Sequence, residues 1–74
     1  MDYYAVFGIA RDAEDIVITA AYKGMVKKYH PDVYKGSKVE ANEKIREINE
    51  AYDTLSDPKK RSAYDKSTES AAEV

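Results

Sequence analysis

The sequence contains no cysteine among its 74 residues, which excludes disulfide bonds and thiolate ligands for a metal ion. It also lacks an apolar run near the ~20 residues that a transmembrane helix needs, and its N-terminus lacks the basic and apolar regions of a signal peptide. A chain this short must then be stabilised by closely packed helices. We expect a soluble, cytoplasmic protein, or a piece of one, with no membrane association.

Residues suited to catalysis are scarce. His30 is the only histidine, and there is no glycine-rich phosphate-binding loop. His30 and Asp32 could in principle act as a base and its orienting carboxylate, but the chain has no second histidine or cysteine to complete a metal site. The sequence therefore predicts no enzyme activity, no metal and no cofactor.

Charge is unevenly distributed along the chain, although the net charge is only −2. Residues 19–38 contain five lysines and one aspartate, a net charge of +4, whereas residues 39–55 have a net charge of −3. Both segments could be solvated helix faces, or the basic one could steer an acidic partner. A pI near 5.3 and a long loop between the helices argue against nucleic-acid binding.

Local signals predict an all-α fold of four helices. The second helix is expected to begin at an Asp12 N-cap and to stop near Tyr29, because Pro31 disfavours helical geometry in the residue before it. The third is expected to follow Ser37, which has capping-box spacing with Glu40. The expected ranges are Asp2 to Phe7 with a turn at Gly8, Asp12 to Tyr29, Lys38 to Leu55, and Pro58 to Tyr64 after an Asp57 N-cap.

Apolar residues recur at steps of three and four in the second and third helices, which predicts that the two pack as a long antiparallel hairpin flanked by short helices 1 and 4. The stripes are Ile18, Ala21, Met25 and Tyr29 in one helix and Ala41, Ile45, Ile48, Tyr52 and Leu55 in the other. From Lys66 onward apolar periodicity is absent, so residues 66–74 are predicted to be a disordered tail or a linker to further regions.

The segment Tyr29-His30-Pro31-Asp32 resembles the signature of the J-domains of DnaJ/Hsp40 co-chaperones. His-Pro-Asp alone is a weak match, but here it is in register with four further family blocks. These blocks are Asp2-Tyr3-Tyr4 with Gly8-Ile9, Ala21-Tyr22-Lys23, Glu47-Ile48-Asn49-Glu50-Ala51-Tyr52 with Leu55-Ser56-Asp57, and Lys60-Arg61-Ser62-Ala63-Tyr64-Asp65. The resemblance implies that residues 1–65 are a J-domain.

J-domains dock on ATP-bound Hsp70 and stimulate ATP hydrolysis, which traps a client protein in the Hsp70. The resemblance implies the same role for this chain, as a monomer, with unfolded clients binding only to regions outside it. The docking face that it implies consists of Tyr22, Lys23, Lys27, His30, Pro31 and Asp32, with secondary contacts at Lys44 and Arg46.

Several of these residues have alternative roles. Tyr22 could pad the helical seam, Lys23 and Lys27 could be simply solvated, and Asp32 could form a turn. An alternative function for the whole chain is a J-like interaction scaffold with little Hsp70 activation. Such relatives typically lose the His-Pro-Asp tripeptide, which is present here.

The chain departs from many relatives around the signature. Thr19 and Gly24 replace basic residues, and the helix-3 aromatic is Ile45 here. Valine and tyrosine follow the tripeptide where many relatives have polar residues. Gly24 also destabilises a helix by ~1 kcal/mol relative to alanine, so either something approaches the backbone closely there or the loss is tolerated.

Overall fold

The computed structural model describes residues 2–72, with side chains for residues 2–68. Over that range the chain forms four helices and no strand, which confirms the predicted all-α fold. The helices are α1 Tyr3–Phe7, α2 Asp15–Tyr29, α3 Lys38–Leu55 and α4 Pro58–Ala72. None of them is long and apolar enough to cross a membrane. Helices α2 and α3 form the hairpin and share the most extensive contact, while α1 packs on both and α4 packs on α3.

Helix α1 is enclosed by two local caps. The Asp2 carboxylate accepts hydrogen bonds from the backbone amides of Tyr4 and Ala5. At the other end Gly8 adopts a left-handed conformation with φ of 67°, which glycine reaches without the steric cost that a side chain would add. The predicted turn at Gly8 is therefore confirmed.

Helix α2 begins later than predicted. Its first residue is Asp15, and Glu14 occupies the cap position without a side-chain hydrogen bond. The Asp12 N-cap was wrong because the chain makes another turn first, in which the amide of Ala13 donates to the carbonyl of Ala10. A turn of this kind leaves no hydrophobic pattern in the sequence, so the acidic residue before the helix was mistaken for its cap.

Helices α3 and α4 begin where local chemistry placed them. Ser37 Oγ accepts the Glu40 amide at 3.1 Å, although the Glu40 carboxylate bonds elsewhere, so only half of the capping box forms. Asp57 Oδ1 accepts the amides of Lys59 and Lys60 at 2.9 and 3.2 Å. Pro58 then occupies the first position of α4, where its missing amide hydrogen costs nothing.

The core is small and centred on α3. Ala41, Ile48, Ala51 and Leu55 of that helix are buried, together with Tyr4, Phe7 and Ile18 from the other elements. In α2 only Ile18 is buried, and the remainder of its predicted stripe is partly exposed against the core. Helix α2 therefore contacts the core through one of its faces, and the rest of α2 remains at the surface.

Arg61 ties α4 to the opposite end of the chain. Its Nε donates to the Tyr4 hydroxyl at 3.0 Å, and Nη2 donates to the carbonyls of Arg11 and Ala13 at 3.0 and 2.8 Å. Nη1 also lies 3.5 Å from the Asp15 carboxylate. A single planar guanidinium thus joins α4 to α1 and to the turn before α2, a geometry that lysine could not reproduce.

Helix α4 extends further than predicted. The expected end near Tyr64 was wrong, because the helix continues to Ala72 through most of the segment predicted to be disordered. Residues 66–72 contain no glycine or proline, and apolar periodicity does not detect an exposed helix. Thr68 also accepts a hydrogen bond from Arg11 Nη2 at 2.6 Å. Residues 73 and 74 of the predicted tail lie outside the described residues.

Replacing Arg61 with methionine should lower the free energy of unfolding by about 2 kcal/mol, because charge-assisted hydrogen bonds to Tyr4, Arg11 and Ala13 are lost. Urea unfolding followed by circular dichroism measures this change. Arg46→Met is the matched control, because Arg46 is exposed and has no ion pair within residues 2–68. Equal stability of the two variants would contradict the anchoring role of Arg61.

The free energy of unfolding should decrease in alkaline solution because of Tyr4. Burial, and the hydrogen bond that its hydroxyl donates to Asp65 Oδ1 at 2.6 Å, raise the pKa of Tyr4. The folded state therefore holds a proton that the unfolded chain releases above about pH 10, and stability is lost as the pH rises through the folded pKa. We expect Tyr4→Phe to lose about 1–2 kcal/mol at neutral pH and to show a shallower alkaline decline.

Urea unfolding across a pH series tests this expectation. Tyr29→Phe is the matched control, because the Tyr29 hydroxyl has no hydrogen-bond partner among the described side chains. An alkaline decline that is as steep in Tyr4→Phe as in the wild type would contradict the assignment.

Candidate functional site

The loop after α2 is folded around His30. His30 ends the helix in an extended conformation, with φ of −61° and ψ of 133°. Its carbonyl accepts the amides of Val33 and Tyr34 at 2.9 and 2.8 Å. Pro31, which follows His30, has no amide hydrogen that needs an acceptor, and its φ is restricted by the ring. The backbone of this loop is therefore held by its own hydrogen bonds.

The His30 ring braces the same loop. Its Nδ1 accepts the backbone amide of Asp32 at 3.2 Å. A neutral imidazole that accepts at Nδ1 must carry its proton on Nε2, and the side chain is 51% exposed. His30 thus uses one nitrogen inside the loop and leaves the other as a donor for a second molecule.

The Asp32 carboxylate is almost free. Its side chain is 85% exposed, and the carboxylate lies 3.7 Å from His30 Nδ1. That distance is beyond hydrogen-bond range, and the carboxylate caps no backbone amide in the described chain. The alternative role of Asp32 as a turn former through its side chain therefore has no support in the structure.

A second brace joins the loop to α3. The Tyr34 hydroxyl donates to Glu40 Oε2 at 3.1 Å, and its ring packs 5.5 Å from the Tyr29 ring. Gly36 is required for this arrangement, because a Cβ there would lie 2.8 Å from Tyr34 Cζ. Tyr34 is thus a structural residue of the loop.

An open groove runs along α2 into this loop, and we call it the α2 groove. It brings together five residues of the docking face that the resemblance implies, and three others that the sequence did not mark for docking. The first set is Tyr22, Lys23, Lys27, His30 and Asp32, and the second is Gly24, Val26 and Val33. Pro31 is half-buried and does not line it.

Tyr22 packs on α3 and also lines the α2 groove. Its ring stacks on Tyr52 at 4.1 Å between centroids, and its hydroxyl donates to Asn49 at 2.9 Å. It therefore pads the hairpin, as the alternative assumed, while its exposed part lines the α2 groove. Because the ring is fixed from α3, Tyr22 forms a rigid wall of that groove.

The lysines of α2 differ in their surroundings. Lys23 and Lys27 are exposed, line the α2 groove and have no carboxylate partner within residues 2–68. Lys28 lies over the Tyr29 ring at 5.2 Å and does not line the groove. The two groove lysines are therefore the positive charges available to a molecule that binds there.

Lys44 and Arg46 are placed apart from the α2 groove. Lys44 lies 4.0 Å from Glu47 and lines a different groove, with Val6 of α1 and Met25 of α2. Arg46 is exposed and lines neither groove. Their secondary role in docking stays a prediction. Among the described side chains, no three potential ligands converge on a metal site.

Comparison with known proteins shows the family of the chain. The model of the DnaJ domain family matches residues 2–65, which include all of α1 to α3, the loop and the start of α4. The chain belongs to the DnaJ domain family. This confirms the resemblance inferred from the His-Pro-Asp signature and its flanking blocks.

Similar proteins include several named chaperone protein DnaJ. That of Latilactobacillus sakei is 55% identical over 64 residues, which cover 86% of this chain and 16% of the relative. Those of Caldicellulosiruptor bescii and Thermoplasma acidophilum are 53% and 50% identical over 64 residues, 16% and 18% of their lengths. The chain thus spans about a sixth of the length of these relatives.

The tautomer of His30 can be tested directly. Because Nδ1 accepts the Asp32 amide, we expect the neutral ring to be protonated at Nε2. Long-range ¹⁵N–¹H correlation spectra in alkaline buffer distinguish the two tautomers. As His30 is the only histidine, the assignment is direct, and a predominant Nδ1–H form would show that the ring does not brace the loop.

Proposed function

We propose that this J-domain docks on ATP-bound Hsp70 through the α2 groove and the His30–Asp32 loop and stimulates its ATP hydrolysis. One observation carries the proposal. Asp32 presents an 85% exposed carboxylate without a hydrogen-bond partner on a loop whose backbone is braced from several sides. An interaction group held in a fixed position without an internal role is suited to a partner molecule.

The chemistry of the loop favours a cationic group on the partner. An ionised carboxylate accepts from arginine in a short, charge-assisted and bidentate pair. The loop loses little entropy on binding, because its backbone is already ordered by the His30 carbonyl and ring. Lys23 and Lys27 would meanwhile attract acidic residues beside that arginine and orient the encounter.

Stimulation of hydrolysis requires no catalytic group from this chain. A ligand shifts a conformational equilibrium by the difference between its affinities for the two states. The J-domain would therefore bind the hydrolysis-competent form of Hsp70 more tightly than its resting form. In this proposal it acts as a monomer in the cytoplasm, binds no nucleic acid, and leaves unfolded clients to regions outside residues 1–74.

A J-like scaffold that binds Hsp70 with little activation is the second candidate. It is favoured by the weak positive charge of α2, where Gly24 has no side chain and the Thr19 hydroxyl is engaged with that of Tyr52 at 3.4 Å. The two candidates differ in one measurement, because a scaffold would bind Hsp70 without accelerating hydrolysis.

A single-turnover ATPase assay with Hsp70 from the source organism tests the proposal. The wild type should accelerate hydrolysis, and Asp32→Asn should weaken docking by about 30-fold or more, since losing one partner of a desolvated charge pair costs about 2 kcal/mol or more. Helical content should not change, because the backbone amide of Asp32, which the substitution retains, makes the loop hydrogen bond.

Asp12→Asn is the matched control for this assay. Asp12 is exposed, lies outside the helices and makes no hydrogen bond or ion pair with the described residues. It should stimulate hydrolysis like the wild type. Equal stimulation by Asp32→Asn and the wild type would refute the proposal, and binding without stimulation would favour the scaffold.

A further inference from the structure

We propose that the gap over Gly24 in the α2 groove receives an apolar side chain of the Hsp70 partner, surrounded by acidic residues that pair with Lys23 and Lys27. Val26 and Val33 would provide the apolar contact. The inference rests on the proposed function and adds the chemistry of the partner surface: an apolar residue within an acidic rim.

Gly24 has no internal reason to be glycine. It lies in the middle of α2, and its φ is not positive, since Gly8 is the one glycine with that conformation among the described residues. A Cβ built on Gly24 would have no heavy atom within 4 Å. Glycine is disfavoured in a helix interior, and no packing contact within the chain requires it here. Its missing side chain leaves a gap at the surface of α2.

Val33 is the other unexplained residue of the groove. Its side chain is 64% exposed and does not pack against the core cluster. It follows Asp32 directly and lines the same groove as Gly24 and Val26. An exposed aliphatic side chain beside a helix gap gives an apolar floor, which is the usual centre of a protein interface with a charged rim.

The groove itself indicates which molecule fills the gap. His30 and Asp32 of the proposed docking face line the same groove as Gly24 and Val33. A partner that covers the Asp32 carboxylate therefore also covers the gap. A second copy of this chain is a poorer occupant, because two facing grooves would bring four lysines together with only two Asp32 carboxylates and leave an excess of positive charge.

Two pairs of variants test the proposal in binding assays with ATP-bound Hsp70. Gly24→Leu should fill the gap and weaken binding by about tenfold or more, although leucine should stabilise the helix of the free chain. Ala20→Leu adds a leucine one turn earlier, at an exposed position outside the groove, and should bind like the wild type. Gly24→Ala should give a smaller loss than Gly24→Leu.

The second pair removes apolar surface. Val33→Ser should weaken binding by about tenfold, as expected for loss of a buried valine. Val39→Ser is the control, because Val39 is 67% exposed but lies outside the groove. The loss of binding in Val33→Ser should persist at high salt. The loss of binding in Lys23→Gln should become smaller, because salt already screens the charge of Lys23 in the wild type.

The outcomes separate this inference from the proposed function. Suppose that Asp32→Asn abolishes stimulation while Gly24→Leu and Val33→Ser bind Hsp70 like their controls. The proposed function then stands, and the gap over Gly24 is not a contact with Hsp70. If the wild type neither binds nor stimulates Hsp70, both proposals fall. Sedimentation velocity tests whether a second copy of this chain fills the gap instead. Self-association of the wild type that Gly24→Leu abolishes would assign the gap to that second copy.

Discussion

Helix α2 cannot continue past His30, because Pro31 lacks an amide hydrogen and disfavours helical geometry in the residue before it. The carbonyl of His30 is consequently free to accept the amides of Val33 and Tyr34, and this pair of bonds reverses the chain toward α3. The same stop places Asp32 at the outer edge of the hairpin. The hairpin, the groove and the exposed carboxylate all depend on this constraint.

The two faces of α2 are used differently. Ile18 is buried in the core and other apolar residues of α2 pack against it, while the Arg61 side chain of α4, which is 18% exposed, adds a polar anchor. Gly24, which weakens the helix, and the exposed Val33 make no contact with that core. Neither residue is needed for packing within the chain, so both are available to a partner.

Predictions from local chemistry succeeded where neighbouring residues decide the outcome. Gly8, Ser37 and Asp57 act within one turn of their own positions, so their roles could be derived from spacing alone. The Asp12 cap failed because a further turn intervenes before the helix. Arg61 was not singled out, because its bonds join residues 48 to 57 positions apart, and no local pattern encodes such contacts.

The number of helices, the stop at Pro31 and the membership of the J-domain family could be predicted from the sequence, because these depend on spacing and residue type along the chain. The packing of the helices fixes the Tyr22 ring against α3 and places Gly24 and Val33 in one groove with Asp32. It also separated Lys44 from that groove. These outcomes require side chains of different elements to meet, and their meeting is set by how α3 packs against α2 and the loop.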